Sequence, residues 1–364
     1  MKRMAWLKTV GILVVLLTVT LPVWAADAKP DIVGEWRLSR VMPADAANEN
    51  APRGGMMASI LALSRDKDGK LTGQIIGMMG ITELKDVKFE NGTLTFSQTL
   101  RMRQEESVST FTGTLKEGKL VGTQTSQRGE VAMEGTPILP PPAIVGNWEI
   151  TSTRGDRQMV TILSVTADED GKFAATWQPQ RPQTDRPQGQ TQQADRPQGQ
   201  RGFGELSDVQ YKDGKLTFTR RSMGRGQQQD QQQERVSTYS LTAKGDVLTG
   251  TVTSQQGERA IEGKRAAASP VVGTWMLTVT SERGERTQRL VVYPDMTALY
   301  GATPVEAVTC QDNAVSFKIT MSFGDRTFET TFKGTLDGDK LTGQLSSTGQ
   351  NDQVFTQEVV GKKK

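Results

Sequence analysis

The chain repeats itself three times, and that repetition limits its architecture more than any other feature. Each copy opens on a hydrophobic-Gly-x-Trp segment that follows a proline: Ile32-Val33-Gly34-Glu35-Trp36, Ile144-Val145-Gly146-Asn147-Trp148 and Val271-Val272-Gly273-Thr274-Trp275. Further along, LKDVKFENGTLTF at 84–96, LSDVQYKDGKLTF at 206–218 and VEAVTCQDNAVSF at 305–317 align without a gap. A hairpin sequence then closes each copy: TFTGTLKEGKLVGT from Thr110, TYSLTAKGDVLTGT from Thr238 and TTFKGTLDGDKLTGQ from Thr330. A repeat of about 100 residues is too long for a propeller blade and matches a self-contained β domain.

Within a copy the hydrophobic period is two. Leu94-Thr95-Phe96 and Val315-Ser316-Phe317-Lys318-Ile319-Thr320-Met321 alternate apolar with polar residues, as half-buried strands do. The third copy predicts eight strands, at 274–280, 287–293, 297–302, 305–310, 314–323, 327–336, 340–346 and 354–360. The expected fold class is all-β: three tandem small antiparallel up-and-down β-barrels, about eight strands each, after an N-terminal signal peptide. Links after even-numbered strands read as tight hairpins in the first two copies: Asp68-Gly69, Asn91-Gly92 and Glu117-Gly118, then Asp170-Gly171, Asp213-Gly214 and Lys244-Gly245. Links after odd-numbered strands read as longer, at 40–57, 178–202 and 224–234. In a meander this leaves one tight rim per barrel and one that carries the insertions.

Lys2, Arg3 and Lys8 precede an apolar run at 10–21, and Val23-Trp24-Ala25 fits a cleavage site, so 1–25 reads as a secretory signal peptide. The alternative, an uncleaved anchor, is opposed by the shortness of the run and by Pro22. Those three cations are the only charges in the segment. Of 44 Lys+Arg, 41 remain beyond it against 41 Asp+Glu, so the mature chain is formally neutral. A neutral chain argues against nucleic acid or an anionic membrane as partner. A secreted or periplasmic location follows. The lone Cys310 forms no internal disulfide, and with no histidine the Ser-His-Asp, Cys-His and His-zinc chemistries are all excluded.

The expected domains are 1–25 (signal peptide), 31–136 (first barrel), 137–142 (Pro-rich linker), 143–265 (second barrel), 266–269 (linker) and 270–364 (third barrel). Two segments of the second barrel, 178–202 with its repeated DRPQGQ and the Gln-rich 224–234, are low in complexity and read as disordered rim loops. Their sharper reading is a polar lid that touches an envelope polymer or another partner.

The GxW at the first strand, the eight-strand meander and the single loop-bearing end resemble the lipocalin, avidin and fatty-acid-binding barrels, although these copies are shorter than a typical lipocalin. The resemblance covers all three copies through two motif residues each. It implies that Trp36, Trp148 and Trp275 close the barrel floors, each beneath a basic residue just after the last strand. Lys264 or Arg265 answers to that residue in the second copy, and Lys362 or Lys363 in the third. The first copy ends in Thr136-Pro137 and lacks one.

An eight-stranded barrel is either filled by side chains or holds one small ligand. Glycines alternate with leucine at inward positions: Leu71 and Gly73, Leu120 and Gly122, Leu248 and Gly250, Leu341 and Gly343. Such glycines make room or let the strand coil, and coiling is the expected reading. Where the third copy has Ile319, the second has Arg220 and the first Gln98; Trp177 and Tyr239 add aromatic surface. Trp177, Arg220 and Tyr239, with Gln98 at the matching position, are the candidate ligand-binding residues, for a small apolar or carboxylate-bearing molecule. The plainer alternative places Arg220 at the rim with its head in water. Asp66-x-Asp68-Gly69 and Asp168-x-Asp170-Gly171 lack the later ligands of a calcium loop and read as turns. No catalytic residue, metal site or cofactor is expected. The function expected is non-enzymatic binding of a small molecule; its rival is a scaffold of solid barrels whose outer faces and Gln-rich loops contact a partner or polymer.

Overall fold

Alternating apolar residues become strands because a pleated chain sends successive side chains to opposite faces. The computed structural model describes residues 31–41, 58–102, 105–154, 157–168, 171–179, 205–224, 233–282, 284–323, 326–349 and 353–364, and these form strands and no helix. The chain divides into two compact units, Met1–Ile32 and Val33–Lys364, and every strand lies in the second.

The first barrel comprises β1 (Gly34–Arg40), β2 (Ser59–Arg65), β3 (Leu71–Gly77), β4 (Gly80–Glu83), β5 (Lys85–Glu90), β6 (Thr93–Met102), β7 (Glu105–Lys116), β8 (Lys119–Ser126) and β9 (Gly129–Ile138). The second comprises β10 (Gly146–Arg154), β11 (Arg157–Ala167), β12 (Phe173–Pro179), β13 (Glu205–Lys212), β14 (Lys215–Gly224), β15 (Gln233–Lys244), β16 (Val247–Ser254) and β17 (Gly257–Arg265). The third comprises β18 (Gly273–Ser281), β19 (Gly284–Val292), β20 (Ala298–Tyr300), β21 (Thr303–Gln311), β22 (Ala314–Phe323), β23 (Arg326–Asp337), β24 (Lys340–Thr348) and β25 (Val354–Lys363). Each is an antiparallel meander in which the first strand pairs with the last.

Among the described residues only the third barrel closes completely. The first counts nine strands because its fourth is bent: β4 pairs with β3, and one residue later β5 pairs with β6. In the second, β12 and β13 run alongside each other without forming a ladder among the described residues. A bulge recurs in the fourth strand of every copy, between Lys85 and Lys88, Ser207 and Gln210, and Glu306 and Thr309. Asp86 and Asp208 adopt positive φ there, at 53° and 57°.

Two expectations about the loops change. Odd-numbered links are not generally long: β18 and β19 pair to Ser281↔Gly284, as close as any even-numbered hairpin. The insertions nonetheless all leave from the odd-link end. Strand pairing also reaches into both expected loops, 178–202 and 224–234, because Gln178 and Pro179 pair with β11, and β14 and β15 stay paired out to Gly224↔Gln233. The remainder of both loops, the 42–57 insertion and the expected signal segment lie outside the described residues.

Inside, a stacked aromatic pair recurs: Phe96 on Phe111 at 4.9 Å, Phe218 on Tyr239 at 4.8 Å and Phe317 on Phe332 at 4.7 Å between centroids. The glycines of the seventh strand serve close approach. A Cβ on Gly122 would lie 2.4 Å from the Thr112 carbonyl and 2.8 Å from the Phe111 ring, and one on Gly343 would meet Lys333 and Phe332 at the same distances. On Gly250 it would stand 2.0 Å from the Ser240 carbonyl. The strands coil tightly there, and aromatic rings fill the space above Gly122 and Gly343.

The first barrel also packs against the third. Ile60 and Ile76, on the outer face of β2 and β3, form one buried cluster with Leu299 and Ala302. Arg289 forks onto both carboxylate oxygens of Glu35, with Nη2 to Oε2 at 3.0 Å. The amide of Gln288, fully buried, donates to the Gly77 carbonyl at 2.8 Å. This contact falls where β20 is short: its ladder covers only Leu290, Val291 and Val292 of β19, and the tip of the β3–β4 hairpin comes up beside Thr287 and Gln288.

Candidate functional site

Cross-strand partners share a face, so register identifies the residues that point inward. One inward row starts at the opening tryptophan of each copy: Trp36↔Leu61↔Ile75, Trp148↔Leu163↔Trp177 and Trp275↔Leu290↔Tyr300. Trp148 and Trp275 are fully buried and Trp36 nearly so. The Trp148 and Trp275 indoles donate to the Ile144 and Val271 carbonyls, each at 2.8 Å.

A cation covers the tryptophan in two barrels. The Arg265 guanidinium lies 4.3 Å from the Trp148 ring centroid and donates to the Ala143 and Val145 carbonyls, whereas Lys264 turns outward to Glu149. Lys363 Nζ stands 5.5 Å from the Trp275 ring and donates to the Pro270 carbonyl. Lys362 pairs with Met276 on the other face. In the first barrel Pro137 takes the register position of Arg265 and Lys363, opposite Trp36. A groove of about 180 Å³ lies at this end of the second barrel, lined by Pro142, Asn147, Arg265, Ala267 and Pro294 among others. It is smaller than the ~300 Å³ at the low end for ligand pockets, and the guanidinium on its wall is already spent on carbonyls and on Asp246.

The opposite end, from which the insertions leave, is where polar side chains turn inward. In the second barrel Trp177 is 7% exposed and packs at 4.9 Å on Tyr239 and 6.0 Å on Phe218. The half-buried Arg220, inward on β14, sets its guanidinium 5.1 Å from the Trp177 centroid. Trp177 Nε1–H is buried and meets no acceptor among the described residues. This group spans the seam where β12 and β13 fail to pair. Three of the four residues singled out in the sequence therefore meet, although Tyr239 is also the second-barrel member of the aromatic pair that Phe111 and Phe332 supply elsewhere.

Gln98 stands apart, in the first barrel. Its amide donates to Ser109 Oγ at 3.0 Å, Gln124 donates to the same oxygen at 2.9 Å, and Gln98 Oε1 is buried without a donor among the described residues. The acidic turns use their carboxylates locally. Asp66 Oδ1 accepts from the amides of Asp68 and Lys70, and Asp168 Oδ1 from Lys172.

A polar cluster at the mouth of the third barrel was missed. Arg286 faces inward opposite Val279, and its Nη2 donates to Gln357 Oε1 at 3.2 Å. The alternation Arg286-x-Gln288-x-Leu290 was the available signal. A second strand begun at 287 leaves Arg286 outside it, whereas β19 begins three residues earlier, at Gly284.

No family model matches the sequence, and no curated protein matches it. Among solved structures, a Bacteroides fragilis protein named for the outer membrane is 13% identical over 92% of this chain and 98% of its own, with a TM-score of 0.21. A transferrin-binding protein B variant of Haemophilus parasuis is 13% identical over 86% of this chain and 66% of its own, at 0.18. A Nostoc punctiforme protein of the DUF3598 family is 12% identical over 92% and 96%, also at 0.18. Superpositions this loose assign no family.

Proposed function

We propose that this is an exported, non-enzymatic binding protein of lipocalin-like barrels, whose second barrel takes a small carboxylate-bearing molecule at its loop-bearing mouth. The observation that carries the reading is the buried Trp177 Nε1–H, a donor without an acceptor among the described residues, beside the Arg220 guanidinium stacked on the same indole. A buried unpaired donor costs about 1–3 kcal/mol, which an arriving acceptor recovers, and guanidinium matches the planar fork of a carboxylate. The seam between β12 and β13 supplies the approach. Native mass spectrometry of mature protein from its own host reads the mass of any retained molecule. Capture by wild type and its loss in Arg220→Met and Trp177→Phe is the expected result; equal capture by all three discards the reading.

The rival, a scaffold of solid barrels, draws support from the rings that fill the space above Gly122 and Gly343. It applies best to the first barrel, which is locked to the third through Glu35 and Arg289.

A further inference from the structure

The third barrel rebuilds the same kind of mouth from different residues. Tyr300 holds the register position of Trp177, each being the partner of the leucine that faces the opening tryptophan. It is 6% exposed. Arg286 reaches it from β19, whereas Arg220 reaches Trp177 from β14, so one combination arises from two separate strands. Burial pushes the Tyr300 phenol above its ordinary value against the opposing pull of the Arg286 charge, which keeps the hydroxyl a donor at neutral pH. The two side chains are close enough to interact. Yet Tyr300 Oη and Arg286 Nε are both buried without a well-directed hydrogen bond among the described residues.

Two neighbouring polar side chains are already engaged. Gln288, between Arg286 and Leu290 on the strand, donates its side-chain amide to the Gly77 carbonyl of the first barrel and accepts at Oε1 from the Arg289 backbone N–H. Gln357 accepts from Arg286. Phe328 and Phe355 share the inward face with Phe332 and Gln357, and they remain 36% and 53% exposed. A cationic donor, a phenol donor and two exposed rings suit a molecule with a carboxylate head and an apolar body.

We infer that the mouth of the third barrel is a second binding site for an organic carboxylate, with Arg286 Nε–H and the Tyr300 hydroxyl donating to the carboxylate oxygens and Phe328 and Phe355 against the apolar part. In the first barrel Ile75 stands at the position of Tyr300 and Trp177, and Gln98 at that of Arg220. The site shares its ligand chemistry with the second barrel but none of its residues, so either fails alone.

Octanoate titrated into the full mature chain, with stoichiometry read by native mass spectrometry and affinity by calorimetry, tests this. Wild type is expected to bind two octanoates. Arg286→Met and Tyr300→Phe each weaken one of them at least tenfold and leave the other, whereas Arg220→Met removes only the other. Circular dichroism of the Tyr300→Phe chain, the mildest change, verifies that the fold survives. The inference is overturned if wild type binds a single octanoate that Arg220→Met abolishes, or if both third-barrel variants keep two sites of unchanged affinity.

Discussion

At the residue scale, glycine does two different things in these barrels. Gly118 sits in open space at φ +77°, whereas Gly122 lies where the backbone of β7 and the Phe111 ring leave no room for a Cβ. Gly122→Ala is therefore expected to cost about 1–3 kcal/mol through overpacking, and Gly118→Ala about 1–2 kcal/mol through left-handed strain alone; urea unfolding of both measures the difference. A second residue-scale consequence concerns Tyr293. Burial first, and then the Glu35 carboxylate, hold its phenol above the ordinary 10.0. A group that ionises later in the fold than in the unfolded chain contributes stability in full below pH ~10 and loses it as pH rises through the folded value. Glu35→Gln removes a raising charge, so Tyr293 is expected to ionise at lower pH, and ultraviolet titration of phenolate absorbance follows it. Alternation assigned the inward side chains correctly wherever the strand ends were right. Arg286 escaped because the β18–β19 hairpin extends the ladder to Gly284, and turn geometry adds pairs that hydrophobic period does not mark.

At the element scale, the hairpins hold the register. Asp66 accepts two backbone amides, from Asp68 at 3.0 Å and Lys70 at 2.9 Å, across the β2–β3 turn. Its acidic pattern thus serves the backbone. Asp66→Ala is expected to lower stability by about 1 kcal/mol, seen as a lower urea midpoint with unchanged slope, and added calcium is expected to change neither chain. Strand existence was legible throughout the third copy, where all eight predicted segments have a counterpart. The bend of the first copy's fourth strand into β4 and β5 was not, because Leu84 between Glu83 and Lys85 continues an ordinary strand alternation and only pairing on both sides reveals the break.

At the scale of the whole molecule, the decisive feature is the docking of the first barrel on the third. Gly80, at φ +119°, would place a Cβ 2.8 Å from the Thr287 carbonyl, so Gly80→Val is expected to undock the β3–β4 hairpin. Calorimetry then separates a transition that the docked barrels share, because an interface couples the unfolding of the parts it joins. Apolar residues on both faces of one strand were the mark of this contact: Ile60 and Leu61 are adjacent on β2 and both fully buried. Local pattern determined by itself that there would be three tandem β modules and, where the strand ends were placed correctly, which residues point inward, since periodicity, turn chemistry and repetition are written in neighbouring residues. Tertiary structure alone decided which walls close, that Arg286 meets Tyr300, and that the outer face of one barrel lies against another. Those contacts join residues as far apart as Glu35 and Arg289, and no short-range pattern encodes which distant surfaces are complementary.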